Sequence, residues 1–420
     1  MNILILGGGG REHAIAWAVA QNPKCDRLFA APGNAGIASH ATLVPGLDIL
    51  DGRAVAAFCA DTGIDFVIIG PEAPLAAGVA DRLREAGILT LGPSAAAAQL
   101  EASKAFTKEI CAAAGVPTAA FRVFDEAGAA RAHVREHGAP VVIKADGLAA
   151  GKGVVVADSV DMALAAIDAA FMIDGSRVVL EEVMEGEGAG FFVLADGETV
   201  LELGTAQDFK RAFDGDMGPN TGGMGAFSPA PLVTPALAER TLAEIVRPTL
   251  AEMTRRGTPY QGILYAGLLI GSEGPRLVEY NARLGDPEAQ VIALRLGAQL
   301  LDAFLACAEG ELATTRLNWA DDHALTVVMA ARGYPRDYAS GERIILPAPG
   351  DPRVVIFHAG TSRDPDGNLV TAGGRVLAVT ARADSLREAR DLAYDTVARI
   401  DWPEAHFRRD IGEKAVAAAG

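Results

Sequence analysis

Two lysines and three glycines lie close together between two predicted strands, in residues 144–153. Phosphoryl transfer uses this combination, because flexible glycine backbone can close over a triphosphate while lysines neutralise the charge that develops on its oxygens. The run is not a Walker A loop, which would require Ser or Thr at the position of Gly153. A hairpin turn with exposed lysines is the alternative interpretation. The pattern favours a loop that covers phosphate groups.

A carboxylate and an amide alternate further along the chain, at Glu279 and Asn281. Because residues two apart in a strand share a face, both side chains, together with Arg283, are expected to point into one cleft. Carboxylate and amide oxygens are hard ligands that suit a magnesium ion bridging ATP phosphates. Taken alone, the pattern is more typical of the polar face of a half-buried strand. Its position downstream of the lysine run favours a metal site.

Four glycines, Gly7 to Gly10, precede Arg11 between a predicted strand and a predicted helix. Glycine backbone can approach a phosphate closely here, and a helix N-terminus supplies N–H donors. A dinucleotide-binding fold fits poorly, because the third glycine of GxGxxG would fall at Glu12 and residues 31–34 offer no ribose-binding acid. A tight turn is the alternative interpretation, and Arg11 favours an anion site.

A glycine-rich connection spans residues 208–231 and opens with Asp208, Lys210 and Arg211. A connection of this length inside a compact enzyme is usually functional or disordered. Its charged cluster suits an amino-acid substrate, which carries opposite charges at its two ends. A solvated loop is the alternative interpretation.

Through about the first hundred residues, short apolar runs alternate with alanine-rich helical stretches. This alternation predicts a parallel sheet with crossover helices. Its strands are predicted at residues 2–6, 27–30, 65–69 and 88–91. A helix over residues 95–114 then opens a small α+β lobe with strands at 141–144, 154–157 and 178–183 and a helix from Ser159. Later strands are predicted at residues 191–194, 200–203, 263–270, 276–281, 325–329, 354–357 and 376–379, with a helix from Thr234.

The chain of 420 residues is 50% hydrophobic and can form more than one core, since single cores stop growing near about 250 to 300 residues. We predict an N-terminal domain over 1–103, a two-lobed core over 104–318 with its small lobe at about 119–183, and a mixed β/α C-terminal domain over 319–420. The predicted fold class is therefore a multidomain combination of α/β and α+β architecture.

The chain carries 37 basic and 54 acidic residues, a formal net charge of −17 that disfavours tracking a nucleic-acid backbone. The four cysteines form no CxxC pair, so neither a disulfide framework nor a zinc site is indicated. No basic leader precedes the first apolar stretch, and this stretch, which ends before Gly7, is too short to span a membrane. We expect a cytoplasmic protein that binds neither nucleic acid nor membrane.

The motifs taken together resemble the phosphoribosylamine-glycine ligase family of ATP-grasp enzymes over essentially the whole chain. Each motif is weak alone, and their shared order carries the resemblance. The matching runs are Gly9 to Ala14, Ala31 to Gly36, Gly70 to Leu75, Ser103 to Phe106, Lys144 to Gly153, Gly218 to Gly225, Gly285 to Glu288 and His358 to Thr361.

The resemblance implies that ATP, glycine and 5-phosphoribosylamine give ADP, phosphate and glycinamide ribonucleotide, with Mg²⁺ or Mn²⁺ as cofactor. The glycine carboxylate would attack the γ-phosphate, and the ribosylamine nitrogen would open the resulting glycyl phosphate. Because this chemistry needs no nucleophilic protein residue, catalysis would rest on positioning and charge stabilisation. A monomer is expected, with a dimer as the alternative.

The resemblance also assigns residues. Those that resemble ATP contacts are Lys104, Lys144, the loop residues Gly147, Gly151, Lys152 and Gly153, the adenine-hinge residues Glu181, Glu182 and Val183, and Glu187 near the ribose. Glu279 and Asn281 match the metal ligands. Catalytic positions are Lys144, Asp208, Lys210 and Arg283, the last three also holding glycine. The phosphoribosylamine pocket is matched by Gly9, Gly10, Arg11, Asn34 and Glu72, and Gly222 and Gly223 match further substrate positions.

Three positions depart from the family. Gly188 and Gly190 stand where relatives usually carry an acid and a serine, and Phe209 stands where many carry histidine. Two other functions therefore stay open at this point. One is an ATP-grasp ligase with a different carboxylate or acceptor, and the other is a catalytically weakened nucleotide-binding regulatory protein.

Overall fold

The computed structural model describes residues 1–148, 153–172, 175–197 and 199–419. Its first unit is a five-stranded parallel sheet in the order β3-β2-β1-β4-β5. The strands are β1 (Asn2–Gly7), β2 (Arg27–Pro32), β3 (Thr42–Leu43), β4 (Phe66–Ile69) and β5 (Leu89–Leu91). The helices are α1 (Gly10–Val19), α2 (Gly52–Thr62), α3 (Glu72–Ala76) and α4 (Val79–Glu85). The predicted parallel sheet is confirmed, with the short edge strand β3 added.

Strand β1 shows why this sheet forms. Ile3 and Ile5 face one hydrophobic core, while Leu4 and Leu6 face another, and all four are fully buried. A parallel strand covered on both faces has this continuous apolar run, because alternate side chains enter opposite layers. The glycines that follow β1, up to Gly10, therefore lie at the carboxyl edge of the sheet.

The helix predicted over residues 95–114 is wrong as a single element. The structure has two helices, α5 (Gln99–Ala102) and α6 (Lys104–Ala114), separated by Ser103 in an extended conformation (φ −132°, ψ 115°). The Ser103 hydroxyl accepts a hydrogen bond from Phe106 N at 3.1 Å, so it caps α6 instead of continuing α5. The break directs both Glu101 and Lys104 into the same cleft.

The small lobe is a four-stranded sheet in the order β6-β9-β7-β8, with antiparallel pairing throughout. Its elements are β6 (Phe121–Phe124), α7 (Ala127–His137), β7 (Val141–Ala145), β8 (Val154–Ala157), α8 (Val160–Ala170) and β9 (Val178–Glu181). The helix predicted from Ser159 is confirmed, and Ser159 caps it. The lobe has its own core, which includes Val134, Ile143, Ile167 and Leu180.

The remaining strands of the core are β10 (Glu187–Asp196), β11 (Val200–Asp208), β12 (Arg211–Phe213), β13 (Met217–Asn220), β14 (Gly225–Ser228), β15 (Gln261–Gly271) and β16 (Gly274–Asn281). The C-terminal strands are β17 (His323–Ala330), β18 (Val354–His358), β19 (Thr361–Arg363), β20 (Leu369–Thr371) and β21 (Arg375–Ala383). The helices are α9 (Pro235–Thr241), α10 (Arg247–Arg255), α11 (Glu288–Leu296), α12 (Gln299–Glu309), α13 (Leu386–Val397) and α14 (Glu413–Ala419), with a π-helical turn at Leu242–Val246.

One eight-stranded sheet joins the core to the C-terminal region, in the order β16-β15-β10-β11-β14-β17-β21-β18. The connection at residues 208–231, predicted as one long loop, contains β12, β13 and β14. Strand β14 pairs with both β11 and β17, so this segment forms the seam between the two regions. A loop at such a position would leave backbone groups of both neighbouring strands without partners.

In the described part of the chain, no single helix is long and apolar enough to cross a membrane. The pair α11 and α12 meets that test only when the two are taken together across a bend of 103°.

Candidate active site

A cavity of about 470 Å³ opens between the small lobe, the large sheet and the first sheet. Twelve of the residues singled out in the sequence line it: Arg11, Glu72, Lys104, Lys144, Gly147, Gly153, Glu181, Lys210, Gly222, Glu279, Asn281 and Arg283. Gly9, Gly10, Asn34, Glu182, Val183, Glu187, Asp208 and Gly223 do not line it. Gly151 and Lys152 lie outside the described residues.

Lys144 lies at the end of β7, where its ammonium contacts Glu181 at the end of the neighbouring strand β9. The Nζ of Lys144 is 2.9 Å from Glu181 Oε1 and donates to Val278 O at 3.1 Å. A second lysine, Lys108, contacts the other carboxylate oxygen of Glu181 at 3.2 Å. Two ammonium groups therefore share one carboxylate, which leaves excess positive charge in this wall of the cleft.

Lys104 supplies a third ammonium from the first turn of α6. Its Nζ donates to Gly147 O at 2.8 Å, so it contacts the start of the lysine and glycine run. Burial lowers the pKa of Lys104, and the nearby carboxylate of Glu279 acts in the opposite direction. Gly147 has a φ of +105°, a conformation that a residue with a side chain rarely adopts.

Glu279 and Asn281 lie near the carboxyl end of β16, on the same face, and both line the cleft. One carboxylate and one amide oxygen on adjacent same-face positions fit a hard divalent cation, with its other coordination positions left to phosphate oxygens and water. The arrangement suits a metal held mainly by a nucleotide.

Arg283 lies between two carboxylates from the first part of the chain. Its Nη2 is 2.8 Å from Glu101 Oε1, and its Nε is 3.3 Å from Glu72 Oε2. Although burial alone would lower it, the two carboxylates raise the pKa of Arg283. Burial raises the pKa of Glu101, and the Arg283 guanidinium offsets this only in part. The guanidinium is thus fixed as a cation facing the cleft.

Asp208 and Lys210 form an ion pair at the end of β11, with Lys210 Nζ 2.9 Å from Asp208 Oδ2. The Asp208 carboxylate raises the pKa of Lys210. The buried carboxyl of Glu288, at the start of α11, lines the cleft beside them. Burial and the neighbouring Asp208 carboxylate raise the pKa of Glu288. This part of the cleft therefore has an ammonium group, on Lys210, and carboxyl groups, on Asp208 and Glu288, which suit the two charged ends of a zwitterionic amino acid.

The loop Gly7 to Arg11 packs against other parts of the protein. Of its residues, Arg11 lines the cleft and the four glycines do not. Gly9 N donates to Glu12 Oε2 at 2.7 Å, and a Cβ at Gly10 would lie 2.5 Å from Gln290 Nε2. The Arg11 Nε contacts Glu12 Oε1 at 2.5 Å. Close packing restricts these positions to glycine, and their assignment to the phosphoribosylamine pocket stays a prediction.

Asn34 lies outside the cleft lining and makes hydrogen bonds within the protein. Its Nδ2 donates to Gly8 O at 2.9 Å and to His358 O at 2.8 Å, while its Oδ1 accepts from Gly36 N and Ile37 N at 2.9 Å each. Every polar atom of the side chain is therefore occupied, and the buried amide joins the first sheet to the C-terminal region.

The hinge between the lobes follows β9. Glu182 Oε1 accepts from Ala120 N at 3.0 Å and pairs with Arg276, and Glu187 is exposed at the start of β10. The hydrogen bonds from Ala120 and Arg276 lower the pKa of Glu182. The side chain of Glu182 thus holds the segment after β9 to β16 through Arg276.

The structure gives a reason for one departure from the family pattern. A Cβ at Gly190 would lie 2.9 Å from ring atoms of both Phe192 and Tyr265, whose rings stack with centroids 4.4 Å apart. This aromatic pair fills the space that a serine would need. Gly188, in contrast, has open space around it and would accept a side chain.

The sequence analysis missed several cleft residues, chiefly Glu101, Lys108, Asn220, Thr221, Tyr265, Asp286, Glu288 and Arg375. Arg375 comes from the C-terminal region, donates to Gly222 O at 2.8 Å and lies 3.5 Å from Asp286 Oδ2. Asn220, Thr221, Asp286 and Glu288 had a local signal, since all four belong to runs that resemble the family. The others reach the cleft through tertiary packing.

Two lobes joined by a backbone hinge, with lysines facing a carboxylate and an amide across the cleft, define an ATP-grasp enzyme. Models of phosphoribosylglycinamide synthetase match the chain as its N domain over residues 1–101, its ATP-grasp (A) domain over 102–289 and its C domain over 324–414. The chain belongs to the phosphoribosylglycinamide synthetase family.

Relatives agree with this assignment. The chain is 54% identical to the phosphoribosylamine-glycine ligase of Agrobacterium fabrum and 55% identical to that of Mesorhizobium japonicum, over 99% of each chain. The crystal structure of the Thermotoga maritima ligase matches 98% of this chain and 100% of its own, with a TM-score of 0.86 at 33% identity. A biotin carboxylase domain from Hydrogenobacter thermophilus shares the fold, with a TM-score of 0.73 at 18% identity.

Proposed function

We propose that this enzyme joins glycine to 5-phosphoribosylamine at the expense of ATP, giving glycinamide ribonucleotide, ADP and phosphate. The chief support is that one cleft is lined by Lys144, Glu279, Asn281 and Arg283. The relatives that match the chain over 99% of its length are named phosphoribosylamine-glycine ligases. The substrates are small molecules, and the reaction belongs to purine biosynthesis.

The first step activates glycine. A carboxylate oxygen of glycine attacks the γ-phosphorus of ATP, the bond from that phosphorus to the β,γ-bridging oxygen breaks, and ADP leaves with the electron pair. Lys144 and Lys104 lie on the small-lobe side of the cleft, where they would neutralise charge on the transferred group. Gly147 and Gly153, with Gly151 and Lys152, would cover the phosphates.

The second step forms the amide. The amine nitrogen of phosphoribosylamine attacks the acyl carbon of glycyl phosphate, the acyl carbon–oxygen bond breaks, phosphate leaves, and the nitrogen loses a proton. Arg283 would hold the reacting phosphate, while Asp208 and Lys210 would bind the charged ends of glycine. Arg11 and Glu72 would face the phosphoribosylamine, near Gly222 and Gly223.

Glu279 and Asn281 would hold Mg²⁺ or Mn²⁺ through hard oxygen ligands, and the bound cation would neutralise charge on the nucleotide phosphates. Glu181, Glu182 and Val183 would border the adenine, and Glu187 would lie near the ribose. Asn34, Gly9 and Gly10 would support the phosphoribosylamine side of the cleft from behind.

We further propose the boundaries 1–103, 104–318 and 319–420 for the three domains, with the small lobe over about 119–183, and a monomeric assembly.

An oxygen-labelling experiment tests the glycyl phosphate step. Glycine carrying ¹⁸O in its carboxylate should transfer one labelled oxygen to the phosphate product, because the oxygen that attacks ATP leaves with phosphorus. Phosphate without label, formed at the same rate as labelled amide product, would contradict this route.

A further inference from the structure

A second cavity, of about 440 Å³, lies between the segment that follows β2 and the C-terminal strands. We call it the His358 pocket, after the residue at its base. It shares no lining residue with the active-site cleft. The residues that define it are Gly36, Ser39, Arg343, Ile345, His358 and Arg363.

His358 is a buried polar group that faces this pocket, with 8% of its surface exposed. Its Nδ1 lies 3.1 Å from Thr361 Oγ1, whereas its Nε2 has no hydrogen-bond partner among the described residues. Burial, with Arg363 adding to the effect, lowers the pKa of His358 to about 4, so the ring is neutral near pH 7. When the Thr361 hydroxyl donates to Nδ1, Nε2 carries a proton that can be donated into the pocket.

The space around this imidazole is closely fitted. A Cβ at Gly36 would lie 2.5 Å from His358 Cγ and 2.4 Å from His13 Cε1. The His358 backbone N donates to His13 Nδ1 at 2.7 Å, and Asn34 Nδ2 donates to His358 O at 2.8 Å. The histidine is therefore fixed in place by α1 and by the segment that follows β2, a requirement for a preorganised binding site.

Two arginines stand at the rim. The Arg343 guanidinium makes no ion pair or hydrogen bond within the described part of the chain, and Arg363 Nη1 donates to Gly367 O at 2.8 Å. The nearby Asp364 carboxylate is engaged by Asn368, through the backbone N at 2.8 Å and Nδ2 at 3.0 Å. The rim thus keeps free guanidinium N–H groups, which match the geometry of a phosphate.

The wall beside the arginines is apolar. Ile345 is 48% exposed, and it lies next to Leu346 and Leu369 in the lining. A ligand that carried only charge would leave this wall in water, whereas one with an apolar body would cover it.

We propose that the His358 pocket binds a small phosphate monoester with an apolar body, whose phosphate is held by Arg343, Arg363 and the His358 Nε2–H. The site is independent of the ligase reaction proposed for the cleft.

Phenyl phosphate is a suitable probe, because it combines a phosphate dianion with a flat apolar ring. Its binding would be measured by isothermal titration on the full chain, with Mg²⁺ and a non-hydrolysable ATP analogue at saturation to fill the cleft. The test variant is Arg343→Gln with Arg363→Gln. The matched control is Arg336→Gln with Arg387→Gln, which removes two exposed arginines outside the pocket lining.

The wild type and the control should bind the probe alike, while the test variant should bind at least about tenfold more weakly, as expected for losing two charge-assisted contacts. Inorganic phosphate should bind more weakly than phenyl phosphate, since it cannot cover Ile345. Equal affinity for phenyl phosphate in all three proteins, or no saturable binding by the wild type, would overturn the proposal.

Discussion

Lys144 and Glu181 form a buried ion pair in the wall of the cleft, with Nζ 2.9 Å from Oε1. Lys108 contacts the same carboxylate, so the pair belongs to a cluster of two cations and one anion. An excess cation at a partly dry site attracts phosphate oxygens more strongly than it would in water.

Lys144→Ala should lower kcat/KM by at least about a hundredfold, because losing charge complementarity at a phosphoryl group costs several kcal/mol of transition-state stabilisation. Lys414→Ala is the control, since the side chain of Lys414 is 88% exposed. Steady-state ADP release measures both. Near-normal turnover in Lys144→Ala would remove this residue from the proposed mechanism.

Glu279→Ala should raise the Mg²⁺ concentration needed for half-maximal activity, and kcat should fall by about a hundredfold or more, because one of two proposed protein ligands is gone. Chelation of divalent ions should abolish activity in every variant. Glu273→Ala, an exposed acid on the hairpin that leads into the same strand, is the control. An unchanged Mg²⁺ dependence in Glu279→Ala would count against the metal site.

Glu101→Gln should disturb Arg283 without touching ATP. In the wild type, Ala282 N donates to Glu101 Oε2 at 2.7 Å, and the oxygen of the glutamine amide can still accept this hydrogen bond. The amide is neutral, however, so the ion pair with the Arg283 guanidinium is lost. We expect kcat to fall by about tenfold or more while the KM for ATP stays within about twofold. Glu109→Gln, on the exposed side of α6, is the control. An effect confined to the KM for ATP would contradict the positioning role.

Local patterns were sufficient for residues whose partners are near in sequence or share a strand face. Glu279 and Asn281 follow from the two-residue period of β16, and Lys144 from the strand that precedes its glycines. Glu101 could not be found this way, because its role depends on Arg283, which is distant in the sequence and follows the end of β16. The same limit applies to Arg375, which the C-terminal region brings into the cleft.

One miss has a different cause. The helix over residues 95–114 was predicted as continuous because its propensities are uniformly high, yet the Ser103 hydroxyl competes successfully for the N-terminus of α6. Asn34, which the resemblance assigns to the substrate pocket, does not line the cleft. Its four hydrogen bonds join two parts of the fold, and its role toward a substrate stays a prediction.

Acid should destabilise the fold through His358 and His13. Burial lowers the pKa of both, that of His358 to about 4, so the unfolded chain binds more protons than the folded one between about pH 6.5 and 4. The free energy of unfolding is therefore unaffected by His358 above this window and falls as the pH drops through it, by up to about 3 kcal/mol.

Denaturant unfolding at pH 7 and pH 5 would measure this effect. His358→Asn should show a smaller loss between the two pH values than the wild type. His137→Asn, which removes a half-exposed histidine on α7, should keep the wild-type difference. An identical pH dependence in His358→Asn and the wild type would show that the buried ring is not responsible.

The glycine dependence of ADP release tests the proposed ligase activity most directly. Purified enzyme would be given Mg²⁺, ATP and freshly formed 5-phosphoribosylamine, with glycine, formate or bicarbonate as the carboxylate. We predict ADP release that requires both glycine and phosphoribosylamine, with one glycinamide ribonucleotide formed for each ADP. ADP release that ignores glycine, or that responds to formate or bicarbonate instead, would contradict the assignment.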